Sequence, residues 1–92
     1  MVAEQDGAAG AEPGDGVWVP IEGIDLDEYA RLCAGIVRLG IRGDVNAAAW
    51  VEGRGVRPGA WATISAGWNE RMQADQRVRE RYARVFSEGT KP

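Results

Sequence analysis

The sequence predicts an all-α fold: a small bundle of three to four helices, preceded by a disordered acidic tail and a short extended strap. Three observations carry this expectation. Apolar residues recur at spacings of three and four after Asp25 and again from Trp61, the periodicity of helices that bury one face. Residues that start and stop helices punctuate the chain between those stretches, at Asp25, Gly40, Asp44, Gly53, Pro58 and Asp75. The length of 92 residues suits one small domain, placed at residues 17–88, with tails at 1–16 and 89–92.

Residues 1–16, MVAEQDGAAGAEPGDG, are mostly Gly, Ala, Pro and acid. Such a composition buries too little apolar surface to offset the entropy of ordering. The segment lacks the basic start and apolar run of a signal peptide. Val17-Trp-Val-Pro-Ile21 then reads as an extended strap, because Pro20 biases Val19 away from helical geometry. Asp25 is the expected N-cap of the first helix, with Glu28 completing a capping box and Ile24 and Tyr29 forming a hydrophobic staple. Leu26, Tyr29, Ala30, Cys33, Ile36 and Val37 make its apolar stripe, and Gly40 suits its C′ position. Asp44 is expected to cap a second helix, Val45 to Glu52, stopped by Gly53. Pro58 stands where the first turn of a third helix is expected. On that helix Trp61, Ile64, Trp68 and Met72 share one face, with Gly67 permitting close approach. Residues 58–87 suit either one long helix or two; the slight shift of apolar phase beyond Met72 favours a break at Asp75 and a fourth helix carrying Val78, Tyr82, Val85 and Phe86.

The chain contains no histidine, which removes the commonest general base and the usual metal ligand. Cys33 lies on the apolar stripe, where a cysteine is a small hydrophobe; being the only one, it forms no internal disulfide, and a reduced cytoplasmic setting is the default. The glycines of the tail form no phosphate loop, because no strand precedes them and no helix directly follows. Asp25, Asp27 and Glu28 sit in a first helical turn, where acids complement the helix dipole. These observations predict neither an enzyme nor a cofactor or metal site. No stretch approaches the roughly 18 consecutive apolar residues of a membrane span.

Several separated pieces, Trp18-Val-Pro-Ile-Glu-Gly-Ile24, Leu26, Tyr29-Ala30, Trp61 and Trp68-Asn-Glu-Arg-Met72 with Asp75, together resemble a family of small all-helical bacterial domains of unknown function. That family has a Trp-containing lead, a Gly-hydrophobic-x-Leu helix start and a later Trp-x-x-Arg-Met motif. The resemblance covers residues 17–86 and implies an all-helical domain, with no activity or site residues attached. Residues 44–72 are also similar to a helix-turn-helix, with Gly55, Val56, Trp61 and Ile64 at the positions of its turn glycine and core residues. The net charge of −3 and a single lysine equip the chain poorly for phosphate contacts.

The charge is unevenly placed: residues 1–16 carry four acids and no base, whereas residues 57–92 have a net charge of +3. Arg77, Arg81 and Arg84 would ordinarily be a solvated helix face. Their functional reading is an anionic docking strip, with the acidic tail itself as one candidate occupant. Trp61 and Trp68 are expected in the core and Trp18 as a clamp from strap to bundle. Trp50 falls to one side of its helix and, if solvent-facing beside Val56, is the best candidate for a partner hot spot. The expected partner-binding set is Trp50, Arg54, Val56 and Arg57. The leading expectation is a non-catalytic protein–protein interaction module or homo-oligomer. A nucleic-acid-binding regulator is the alternative. A small-ligand pocket lined by Trp61, Trp68 and Tyr82, with Arg71 meeting an anion, is a third.

Overall fold

Asp25 starts the first helix as its sequence position demands: its backbone is extended (φ −81°, ψ 175°), and its Oδ1 accepts from the Glu28 amide at 2.8 Å. This satisfies one of the otherwise unpaired first-turn donors. The computed structural model describes residues 15–91, which form an all-α bundle of α1 (Leu26–Arg38), α2 (Asp44–Glu52), α3 (Trp61–Ala74) and α4 (Gln76–Thr90). Expectations for the acidic tail fall on residues 1–14, outside the described part. None of these helices is long and apolar enough to cross a membrane.

The strap is not extended throughout. Asp15–Trp18 is a 3-10 turn, and Ile21 and Ile24 then bond each other's backbones at 3.0 and 2.9 Å. Glu22 and Gly23, between them, both have positive φ (52° and 79°), the pattern of a type I′ turn. Gly67, Trp68 and Arg71 of α3 all meet this strap. Ile21 lies against Gly67, where an added Cβ would meet Ile21 Cδ1 at 2.5 Å, and Arg71 reaches back to the strap's carbonyls.

α1 ends as expected at Gly40 (φ 69°). The Gly40 amide bonds Val37 O at 3.1 Å and the Ile41 amide bonds Ile36 O at 3.0 Å, which is a Schellman motif. α2 ends at Glu52, as expected, with Gly53 as its C-cap, and the same hydrogen-bond motif closes the turn that follows. Gly55 (φ 107°) is the left-handed residue, its amide bonds Glu52 O, and the Val56 amide bonds Val51 O. Gly53 itself keeps right-handed helical angles. At the start of α2 the N-cap is Gly43 and Asp44 is the first helical residue, with no side-chain cap bond. Pro58 opens no helix. Arg57-Pro58-Gly59-Ala60 is a turn closed by Ala60 N to Arg57 O at 3.0 Å, with Gly59 at φ 81°, as a type II turn requires. α3 therefore starts at Trp61. The break at Asp75 is present: Asp75 is extended (φ −138°, ψ 115°), and its carboxylate accepts from the Arg77 amide at 2.9 Å.

The core joins Leu26, Tyr29 and Leu32 of α1, Val51 of α2, Val56 and Ala60 of the connection, Ile64 and Trp68 of α3, and Val78 of α4. Trp68 is wholly buried and its indole Nε1 donates to Ile24 O at 3.1 Å, so the one polar atom of the ring is satisfied. Trp61 is half-buried, its ring 5.4 Å from that of Tyr29. Val37, expected on the α1 stripe, is exposed, and Leu32 is buried instead. The stripe turns toward α4, which packs on α1 more extensively than any other helix pair. α4 runs to Thr90, past the expected domain boundary at residue 88, and Gly89 sits against Ala34; a Cβ there would come within 2.8 Å of the Ala34 Cβ.

Candidate functional site

α2 is apolar on more than one face. Six of its nine residues in DVNAAAWVE are Ala, Val or Trp, yet only Ala47 and Val51 are buried. A helix apolar all round normally lies in a protein interior. Here Val45 is 82% exposed, Ala49 is exposed, and Ala48 is half-buried. Between α2 and α3 runs a groove of about 390 Å³, lined on its apolar side by Val45, Ala48, Trp61 and Ala62. Asp44 and Glu52 also line it, with no basic residue. Glu52 is fixed there by accepting from the Gly59 amide at 3.1 Å. The outer face of Trp61 thus belongs to this groove while its inner face meets Tyr29. Sequence reasoning missed Val45 as a site residue, although the run of apolar residues on a nine-residue helix was a signal that one face lacks a partner.

The sequence-predicted partner set divides. Trp50 and Arg54 come together, with the Arg54 guanidinium 5.0 Å from the Trp50 ring centroid, a cation–π arrangement. Trp50 is half-buried rather than solvent-facing, because its ring edge occupies the gap left by Gly35 in α1. Val56 is 3% exposed and offers nothing to a partner: the Schellman turn at Gly55 swings it into the core beside Val51, the hydrophobic contact that this motif brings. Arg57 lies apart from Trp50's surroundings and pairs with Glu22 of the strap turn.

Replacing Gly35 tests the Trp50 placement. A Cβ at residue 35 would lie 3.1 Å from Trp50 Cζ2 and 3.2 Å from Cζ3. Gly35→Ala should lower stability by about 1–2 kcal/mol, since overpacking outweighs the gain in helix propensity. The Trp50 indole N–H resonance should move with it. A stabilised variant with that resonance unmoved would show that Trp50 does not rest on α1.

The expected docking strip is largely engaged with its own carboxylates. Arg81 grips Asp27 through two bonds, at 2.9 and 2.7 Å, tying α4 to α1. Hydrogen bonding by Arg81 holds the Asp27 carboxyl below its usual range. Arg77 grips Asp75 at 3.1 and 2.7 Å. Trp18, expected as a clamp, is 37% exposed and lies beside Arg77, Arg81 and Arg84. Clamping falls instead to Arg71: its Nη1 donates to the carbonyls of Val17 (3.1 Å) and Val19 (2.6 Å) while its guanidinium lies 4.7 Å from the Trp68 ring centroid. Arg71 therefore does not face an open ligand pocket with Trp68. The exposed positions of α3 are Ala62, Thr63, Ala66, Asn69, Glu70, Gln73 and Ala74, none of them basic.

Cys33 is half-buried between Tyr29 and Tyr82. Burial raises the thiol and both phenols above their ordinary values. All three hold their protons at neutral pH, which is packing chemistry rather than that of a nucleophile. Among the described residues, no group of three or more Cys, Asp or Glu is placed to hold a metal ion.

No protein-family model matches the chain, and no curated protein and no solved structure is significantly similar to it.

Proposed function

We propose that this protein is a non-catalytic helical interaction module that receives a partner protein in the groove between α2 and α3. The observation that carries the reading is Val45, a large aliphatic side chain left 82% exposed at an apolar groove. Exposed apolar surface rimmed by polar residues marks interaction sites, and grooves of this kind accept an amphipathic helix through apolar anchors. The acids Asp44 and Glu52, unopposed by any lining base, favour a partner helix with Lys or Arg beside its apolar stripe. A nucleic-acid reading gains no such support, because the exposed face of α3 carries no Lys or Arg and DNA affinity depends heavily on cationic contacts with phosphates.

The test is Val45→Asp. The substitution lies at an exposed position, so stability should change by no more than about 0.5 kcal/mol. A helical peptide with an apolar face and flanking lysines, titrated by NMR, should shift Ala48 and Ala62 amides in the wild type. It should bind the variant at least about tenfold more weakly, the loss of one well-packed anchor. Equal affinity for both proteins would remove the groove from consideration.

A further inference from the structure

A second surface, sharing no lining residue with the α2/α3 groove, runs along the α1/α4 seam. It consists of three clefts that overlap in sequence. The first holds Trp18 with Arg77, Arg81 and Arg84. The second shares Arg81 and Arg84 with it and adds Arg31. The third shares Arg31 and Gly89 with the second, and ends at Arg38, Arg54 and Trp50. One furrow thus leads from Trp18 to Trp50, joining two surfaces that the sequence singles out separately.

Its charge is predominantly positive. Six guanidiniums line the three clefts, against the carboxylates of Asp27, Glu28, Glu80 and Glu88. Arg81 is matched by Asp27, and Arg31 lies 3.6 Å from Glu28. Arg38 donates to Gly89 O at 3.0 Å and Arg54 lies over Trp50. Both of those contacts leave the full cationic charge in place.

We propose that the acidic N-terminal segment, residues 1–14, docks along this furrow, held by its carboxylates against the arginines. The segment carries Glu4, Asp6 and Glu12 and no basic side chain. It joins the described chain at Asp15, three residues before Trp18, at the furrow's first cleft. Length permits it: fourteen residues extend to about 46 Å, whereas α4 from Arg77 to Gly89 rises about 18 Å. Tethering raises the effective concentration toward the millimolar range, so individually weak charge contacts suffice. The docked segment occupies a surface that an acidic peptide from another protein would otherwise use, and so acts as a built-in competitor.

The experiment compares the full chain with its Glu4→Gln/Asp6→Asn/Glu12→Gln variant by NMR at low salt. Neutralisation should shift the Nε–Hε resonances of Arg31, Arg84 and Arg54, and leave the Ala48 and Ala62 amides in place. Adding salt to about 0.5 M, where the Debye length is roughly 4 Å, should reproduce those shifts in the wild type and add little in the variant. A synthetic peptide carrying the sequence of residues 1–14 should bind the variant about tenfold more tightly than the wild type, because the tethered competitor is gone. Unmoved arginine resonances, or equal peptide affinity for both chains, would overturn the proposal. In the second case the furrow would serve acidic partners without self-occupancy. The substitutions lie outside the described residues, and an unchanged unfolding midpoint separates docking from a loss of fold.

Discussion

Trp68→Ala should lower the unfolding free energy by about 3–5 kcal/mol, the cost of deleting a fully buried large aromatic. Trp68 is the largest wholly buried side chain, in one core cluster with residues of every helix. Its truncation opens a cavity at the centre and also leaves the Ile24 carbonyl without its indole donor. A domain of this size holds on the order of 5–10 kcal/mol in total. The variant should therefore melt at least about 15 °C lower or be partly unfolded at room temperature. Thermal unfolding followed by circular dichroism measures this directly. A shift of only a few degrees would place Trp68 at the edge of the core.

Arg71→Met is expected to cost about 2 kcal/mol through the lost charge-assisted bonds, with the loss localised on the strap. Methionine keeps an apolar stem over Trp68 but cannot donate to the Val17 and Val19 carbonyls. Hydrogen exchange should show the Ile21 and Ile24 amides, bonded across the strap turn, losing more protection than amides in α1 and α4. Equal loss across the strap, α1 and α4 would mean that Arg71 supports the core rather than the strap.

Much of the fold was legible because it rests on local chemistry. Asp25 and Asp75 act as caps on their own first turns, and Gly40 takes the left-handed conformation at its helix end. Those interactions span a few residues, so spacing reveals them. The Trp61–Ile64–Trp68 face was legible for the same reason, since helical periodicity places those residues together.

What was not legible depends on contacts between distant residues. Gly53 is legible as the end of α2, but nothing local shows that Gly55, two residues on, takes the left-handed conformation and delivers Val56 to Val51 in the core. Arg71 is indistinguishable in sequence from a solvated arginine until the strap folds over it. Trp50 packs into the gap at Gly35. The signal for that contact was present: a glycine inside a helix costs about 1 kcal/mol relative to Ala, and its position in α1 points to a close neighbour. At the candidate groove the sequence supplied the apolar run of α2 but not the face left uncovered, which is a property of the whole bundle.

Whether the α2/α3 groove receives a partner helix is read directly by site-specific photo-crosslinking in the native host. A benzophenone side chain is placed at Val45, and a control at exposed Gln73 on α3. Mass spectrometry then maps the residues captured. A discrete adduct is expected from residue 45 alone, with crosslinks on one amphipathic helix bearing flanking Lys or Arg, lost when Ala62→Asp is introduced on the opposite wall. Capture that is absent, or equal from both positions and insensitive to Ala62→Asp, would contradict partner docking in the groove.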